Sequence, residues 1–467
     1  MSKNINYFIL LGFFIGIVSA FAPMEALSPL AVLVCGLLLI VLLVMLFSRQ
    51  EDIKFLLFFC LTGFSIRILS SVFFLNLFNL INRPWDVLYL GKIYPSFIEL
   101  DGTTYGINGF LISRIWHMGI MPDKNTLLNS IYFGTILGSY DYWNAMVFYF
   151  TGYSEITVVF INCLAGSLSI LFIYLISGFL FTKRVTRLSV ILVALWPSLV
   201  FYSTQSTKEP IATLLVCMAI WGVLGLYHRF YIFYIIPVIA GLKALLYLRY
   251  ETAILLIGAI ALSLGIIILK RLKVIAIILI LLLTVTIIKL NPFQLSYGQL
   301  GIMKTVPQLE GFLLFKPPVA DESLLGLVNY MRSVRSEGKL AFMPDFDIST
   351  PLGFLIYLPL GIMAFLFAPF PWQAGSMSQI FAAPEMIVWY FLVPFLFYGV
   401  FHFYRDKEMI SKGSVILIFI FASGLLMAVL DGNIGTLFRH KSMLMPLLLL
   451  FVSFGFIRKK EQKICHL

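Results

Sequence analysis

Charge is scarce in this chain. Only 12% of its 467 residues are Asp, Glu, Lys or Arg, while 61% are apolar, and mean hydropathy is +0.99. A soluble globular domain carries roughly 25% charged residues, so an ordinary water-exposed fold is excluded. Cysteine is sparse as well. Cys35, Cys60, Cys163, Cys217 and Cys465 are scattered, and four of the five lie in apolar runs. That spacing excludes a disulfide framework or a zinc site built on cysteine pairs. No Gly-rich phosphate-binding loop is present, which argues against an ATP-driven pump. Internal repeats and low-complexity segments are lacking. The apolar runs do not alternate with polar residues, which excludes a transmembrane β-barrel. The net charge of +11 is not a nucleic-acid signal. The basic residues sit in short loops beside apolar runs, where they report orientation.

What is present is a series of apolar runs of 17 residues or more, enough to cross a hydrocarbon core of roughly 30 Å. The expected fold is an all-α polytopic transmembrane helical bundle, forming one integral-membrane domain over 1–467. Candidate spans are 6–22, 28–47, 54–79, 156–181, 187–203, 211–227, 231–248, 253–269, 274–290, 387–403, 413–430 and 442–457, about twelve. The run 6–22 follows only Lys3 and has no convincing small-residue cleavage site, so it reads as a retained span. Lys and Arg collect on one set of junctions, for example Lys183, Arg184 and Arg187, and Arg458, Lys459 and Lys460. The opposite junctions carry only Lys208, Arg249, Arg439 and Lys441. The positive-inside rule places the first set in the cytoplasm.

Two further apolar stretches complicate the topology. The stretch 131–151 contains Tyr140, Asp141, Tyr142, Trp143 and Asn144, and suits an interfacial helix. The stretch 351–370 is broken by Pro351, Pro359 and Pro369, and reads as a re-entrant or surface segment. Both crossing together would also preserve the orientation of the ends. Two large extracytoplasmic regions follow, about 80–155 and 291–386. Chemistry is expected on that face.

The first candidate is Asp101, expected in a long irregular loop between apolar runs. An unpaired carboxylate beside hydrocarbon is costly. Asp101 and Tyr105 are one helical turn apart and suit a shared site. The carboxylate could take a proton from an acceptor hydroxyl or coordinate a metal. By spacing alone, a helix cap is the simpler reading. Glu209 with Pro210 opens a helix, where both residues are favourable. Lys208 beside it has no such explanation and suggests a bound anion. Arg249 and the run Arg439-His440-Lys441 add outer cations on other loops. A phosphate or pyrophosphate is their natural common ligand, and lipid headgroups are the bland one. His440 offers a proton donor or an interfacial side chain. Within predicted spans, Arg67 could pair with an acid near the outer end of its helix, and Lys243 could snorkel or pair with Glu251. In 291–386 the run 323–340 reads as an amphipathic helix, and Asp345 and Asp347 read as turn residues.

The order of these pieces resembles the GT-C superfamily of integral-membrane glycosyltransferases, including protein mannosyltransferases and bacterial enzymes that use lipid-linked sugars. Asp101, Tyr105 and Gly119 resemble that family's acidic first-loop motif. Arg67 stands in the preceding span. Tyr140 to Gly152 resembles an interfacial helix ending in Gly. Asn162 and Gly166, Pro197 and Glu209, and finally Arg439, His440, Lys441 and Pro446 continue the set. The chain departs at Gly102, where many relatives have a second acid, and at Glu209, where some have Asp. It also carries two additional spans near its start.

The resemblance implies a polyprenyl-phosphate-linked sugar donor and a glycan, lipid or protein acceptor. It implies a bacterial or archaeal plasma membrane, with surrounding lipids and no nucleic acid as partners. No cofactor is certain, and a divalent metal is possible. The implied chemistry is inversion at the anomeric carbon. Asp101 and Glu209 would be the catalytic acids, and Tyr105, Lys208, Arg249, Arg439, His440 and Lys441 would bind substrate. Competing readings are an O-antigen-type or capsule-type polysaccharide polymerase and, ranked below it, a lipid-linked oligosaccharide flippase. The flippase reading predicts midplane broken helices and pseudo-symmetry.

Overall fold

A long apolar run in hydrocarbon must satisfy its backbone internally, and the helix does so within one segment. The computed structural model describes residues 24–81, 100–119, 138–228, 231–271, 324–336, 341–370 and 377–465. In chain order the helices are α1 (Met24–Phe47), α2 (Ile53–Ile81), α3 (Leu100–His117), α4 (Ser139–Thr151), α5 (Glu155–Leu180), α6 (Lys183–Leu195), α7 (Pro197–Ser203) and α8 (Glu209–His228). They continue as α9 (Ile235–Leu248), α10 (Tyr250–Arg271), α11 (Leu324–Arg335), α12 (Pro351–Phe367), α13 (Met377–Arg405), α14 (Lys407–Leu430) and α15 (Ile434–Cys465). The all-α polytopic class holds.

Eight of these helices are long and apolar enough to cross a membrane, and α6 with α7 makes a ninth if that bent pair is one span. The predicted spans 6–22 and 274–290 lie outside the described residues. The expected count of about twelve is therefore met only in part. The predicted span 231–248 becomes the 17-residue apolar stretch Ile232–Leu248, which begins with a 3-10 turn and sits at the margin of spanning length. The straight span expected at 187–203 is bent by 48°. Pro197 lacks a backbone N–H and forces Trp196 into an extended conformation (ψ 123°), so the helix breaks and restarts.

The stretch expected to be interfacial contains α4, whose 13 residues are too few to span. Gly152 ends that helix with φ 75°, a conformation that favours glycine. The stretch expected to be re-entrant or at the surface forms one helix, unbroken by its prolines. Its Pro351 sits at the first turn of α12, where no N–H is needed, and Pro359 is tolerated inside a continuous 17-residue helix packed on α14. Asp101 lies in the first turn of α3 rather than in an irregular loop.

Helices α5 and α15 sit at the centre, buried along most of their length. Their small residues allow close approach, which is the main route to helix association in lipid. Gly399 of α13 meets Gly455 of α15 backbone to backbone. A Cβ added at Gly455 would lie 2.8 Å from the Gly399 nitrogen. Buried Asn162 and Ser167 on α5 then tie neighbouring segments by hydrogen bonds, Ser167 donating to the Cys60 carbonyl at 2.7 Å.

Candidate active site

The site forms at the end of the bundle where α5 and α8 begin. Asn162, one turn into the apolar part of α5, organises it. Its amide nitrogen lies 2.6 Å from the Gln205 carbonyl, 2.8 Å from the Thr207 carbonyl and 3.0 Å from the Tyr140 hydroxyl. These contacts shape the turn that presents Lys208 and Glu209. They also tie that turn to α4, because Tyr140 opens that helix. The Tyr140 ring meets Tyr105 of α3 edge-on, with centroids 5.1 Å apart. Burial pushes the Tyr140 phenol up, so it stays protonated. Thus α3, which carries Asp101, is linked to the Glu209 turn through Tyr105, Tyr140 and Asn162. The Asp101 side chain lies outside the described residues.

Glu209 is almost fully buried at the start of α8. Its Oε1 lies 3.2 Å from Arg249 Nη1 and 3.4 Å from Arg439 Nε. Arg249 occupies the break between α9 and α10 and is itself buried. The Arg439 side chain is about a quarter exposed, although its Nε is buried against Glu209. Lys208 is held to the same cluster electrostatically. Burial and the nearby Arg249 pull its ammonium down to about 8, against an opposing pull from Glu209. It remains mostly charged at neutral pH.

A second chain of charges adjoins the first. Arg335 of α11 reaches Glu251 at 2.8 Å and Asp431 at 3.4 Å, and Asp431 pairs with His440 Nδ1 at 2.7 Å. The nearby Arg335, Arg249 and His440 hold the Asp431 carboxyl below its usual range despite burial. A small cavity of about 20 Å³ joins the two chains, lined by Arg249, Glu251, Arg335, Asp431 and His440.

Sequence reasoning missed several members. Asp431 and Asn433 are not among the sequence candidates, and Asn433 caps α15 through the Gly435 amide at 2.8 Å. Asp141 read as an interfacial residue. It is buried, accepts from Asn108 at 3.0 Å and from the Gly138 amide at 2.5 Å, and desolvation raises its carboxyl to about 6. Arg335 was noted only as a charge in the second outer region. The signal available was its position in the last turn of an amphipathic helix.

Other expectations shift. Lys441 is brought elsewhere. Its ammonium lies 3.2 Å from the Ala368 carbonyl and 5.8 Å over the Trp389 ring of α13. His440 and Arg439 face the charge cluster, while the next residue on α15 points to another side of the helix. Among the described residues Arg67 does not pair with an acid. Fully buried, it donates to the Gly63 carbonyl at 2.9 Å, the Ala194 carbonyl at 3.2 Å and Ser203 Oγ at 3.3 Å. It nevertheless shares a cavity of about 20 Å³ with Glu209. Gly166 permits this, because a Cβ there would sit 2.8 Å from Arg67 Nε. Lys243 is exposed on α9, and Glu251 is taken by Arg335. Asp345 is exposed. Asp347 accepts from the amide and hydroxyl of Ser349 at 2.8 and 2.9 Å, which is the expected turn. Among the described residues no group of three His, Cys, Asp or Glu side chains is placed to hold a metal ion.

The architecture defines the class: a multi-pass helical membrane protein with a cluster of cationic side chains around a buried Glu209 at one end of the bundle. The sequence profile of the dolichyl-phosphate-mannose-protein mannosyltransferase family, a family of GT-C-like membrane glycosyltransferases, matches residues 139–290. That stretch, about a third of the chain, contains Tyr140, Asp141, Asn162, Lys208, Glu209 and Arg249. Asp101 and the Arg439 run lie outside it. No curated protein sequence matches the chain.

Proposed function

We propose that the chain is a glycosyltransferase that moves a sugar from a polyprenyl-phosphate donor to a cell-envelope acceptor on the extracytoplasmic face. The observation that carries this reading is the convergence of Lys208, Arg249 and Arg439 around Glu209, within and beside the stretch that matches the mannosyltransferase family.

In this reading the Asp101 carboxylate takes the proton of the acceptor hydroxyl. The acceptor oxygen bonds to the anomeric carbon as the bond from that carbon to the phosphate oxygen breaks, with inversion. The lipid phosphate leaves with an added negative charge, and fixed cations stabilise charge that develops at this moment. Lys208 and Arg439 face that charge. Glu209 meets two arginines through Oε1 and positions them, a role distinct from proton transfer, while its buried Oε2 has no hydrogen-bond partner among the described residues. His440, held by Asp431, orients the Arg249 side of the cluster. Tyr105 and Tyr140 fix α3 so that the base meets the acceptor. The lipid tail lies between helices, outside the polar cluster.

The test is transfer by purified protein from radiolabelled polyprenyl-phosphate sugars. Removing a general base costs roughly 10²- to 10⁴-fold in rate, and Asp101→Asn is expected to lose activity in that range while keeping its thermal stability. An Asp101→Asn protein with normal turnover would sink the base assignment.

A further inference from the structure

A large cavity lies away from this site. It has a volume of about 370 Å³ and is lined from α1, the turn that follows it, α5, α6 and α8. Helix α8 runs from Glu209 at the site to His228 at the cavity, a rise of roughly 29 Å for its length. The cavity is thus at the opposite membrane face. Its size matches a small-molecule pocket rather than a packing defect.

Its chemistry is asymmetric. Arg49, Lys183 and Arg187 line it, against the single lining carboxylate of Asp52. Asp52 is already engaged by Arg187 at 2.8 Å, Lys183 at 3.4 Å and the Tyr174 hydroxyl at 3.3 Å. Lys183 also meets Glu51 at 2.7 Å. The Arg49 guanidinium has no ion pair among the described residues. The pocket therefore keeps an excess of positive charge on a preset frame. Its back wall is rigid and aromatic, with Trp221 against Phe47 at 5.5 Å and against Tyr234 at 5.3 Å. Gly178 borders open space in it, since a Cβ there would meet no atom within 4 Å. Beside the mouth, α1 exposes Leu42, Met45 and Leu46, each more than half accessible, on an outward apolar face. A cationic pocket at headgroup depth with an apolar track beside it fits an amphiphile with an anionic head.

We propose that this cavity binds the phosphate ester headgroup of an anionic membrane lipid, with Arg49 and Arg187 as its phosphate contacts and the acyl chains along α1. Guanidinium groups pair bidentately with phosphate oxygens, and basic residues at the membrane surface favour anionic lipids. The site is separate from the Glu209 cluster and independent of the transfer reaction.

The test is thermal melting of the purified full-length protein in neutral detergent with added phosphatidylglycerol, phosphatidylcholine or soluble glycerol 1-phosphate. Phosphatidylglycerol is expected to raise Tm by roughly 3 °C or more through binding to the folded state, and phosphatidylcholine is not. Gly178→Leu, which fills the cavity, and Arg49→Gln are each expected to lose most of that rise while leaving the lipid-free Tm in place. A rise with glycerol 1-phosphate equal to that with phosphatidylglycerol, lost in both variants, keeps the phosphate site but assigns it to a soluble ester. The proposal is overturned by a rise of equal size in wild type and both variants, by an equal rise with phosphatidylcholine, or by no rise with either phosphate. If Gly178→Leu lowers the lipid-free Tm, Arg49→Gln alone decides.

Discussion

Lys208 shows how a single residue is set for its task. On the orientation expected from the basic junctions, Lys208 lies on an outer junction, where a lysine opposes that signal and needs a ligand or a partner. Burial and the neighbouring Arg249 lower its ammonium to about 8, well below its ordinary value of 10.5. The sign for activity follows from the charged form. In the proposed reaction the ammonium form of Lys208 would stabilise the leaving phosphate, and that form is lost above about pH 8. The alkaline limb of the rate profile is expected near pH 8, and Lys208→Arg is expected to move it upward, because a guanidinium stays charged there. A limb that stays near pH 8 in Lys208→Arg would assign the titration to another group. The sequence showed Lys208, Glu209, Arg249 and Arg439 as cations and an acid on separate loops. Their convergence was not legible, because spacing along a chain does not say which loops meet. Lys441 illustrates the limit, since its neighbour His440 faces the cluster while it packs over Trp389.

At the scale of elements, the bend between α6 and α7 carries the clearest lesson. Pro197 announced a break in the sequence, and the break is there. What holds the bend was not legible. Glu385 of α13, an acid at the edge of an apolar run, accepts from Trp196 Nε1 at 2.6 Å, from Ser198 Oγ at 2.8 Å and from the Ser198 amide at 2.5 Å. It lies 187 residues from Ser198 in sequence, so no local pattern exposes it. Helix α7 ends at Ser203, which binds Arg67, and leads into the turn held by Asn162. Glu385→Ala leaves three buried donors unmatched, each worth roughly 1–3 kcal/mol. Faster backbone hydrogen exchange is expected across 196–207, with little change in α14. Unaltered exchange in 196–207 would show that the bend is held by packing alone. Similarly, α11 was legible as an amphipathic helix. Its anchoring was not: buried Arg332 donates to the carbonyls of Phe342 and Phe346 at 2.9 Å and to that of Met343. Carbonyl acceptors leave no trace in side-chain sequence.

For the molecule as a whole, the apolar runs made the polytopic bundle plain, because hydrophobic length is a direct reading of membrane thickness. Span count was less plain. A 17-residue apolar stretch such as α12 satisfies the same hydropathy as a span but sits at the margin of its length. Orientation rests on the basic junctions. In a variant lacking Cys35, Cys substituted at Lys407 or Glu51 is expected to resist a membrane-impermeant maleimide in intact cells. Cys at Asp347 or Ser349 is expected to react. The reverse pattern would turn the bundle over and place the Glu209 cluster on the cytoplasmic face.

The central claim is that this cluster receives the phosphate of a lipid-linked sugar as it leaves. The most direct measurement compares release of labelled sugar from a polyprenyl-monophosphate donor and from a polyprenyl-pyrophosphate glycan, using wild-type protein and Arg439→Ala. The account predicts turnover of the monophosphate donor, falling by roughly 10²- to 10³-fold when one charge-stabilising group is removed. Turnover of the pyrophosphate glycan alone would contradict it and point to a polymerase, and binding of either lipid without any sugar release would contradict the assignment as a transferase.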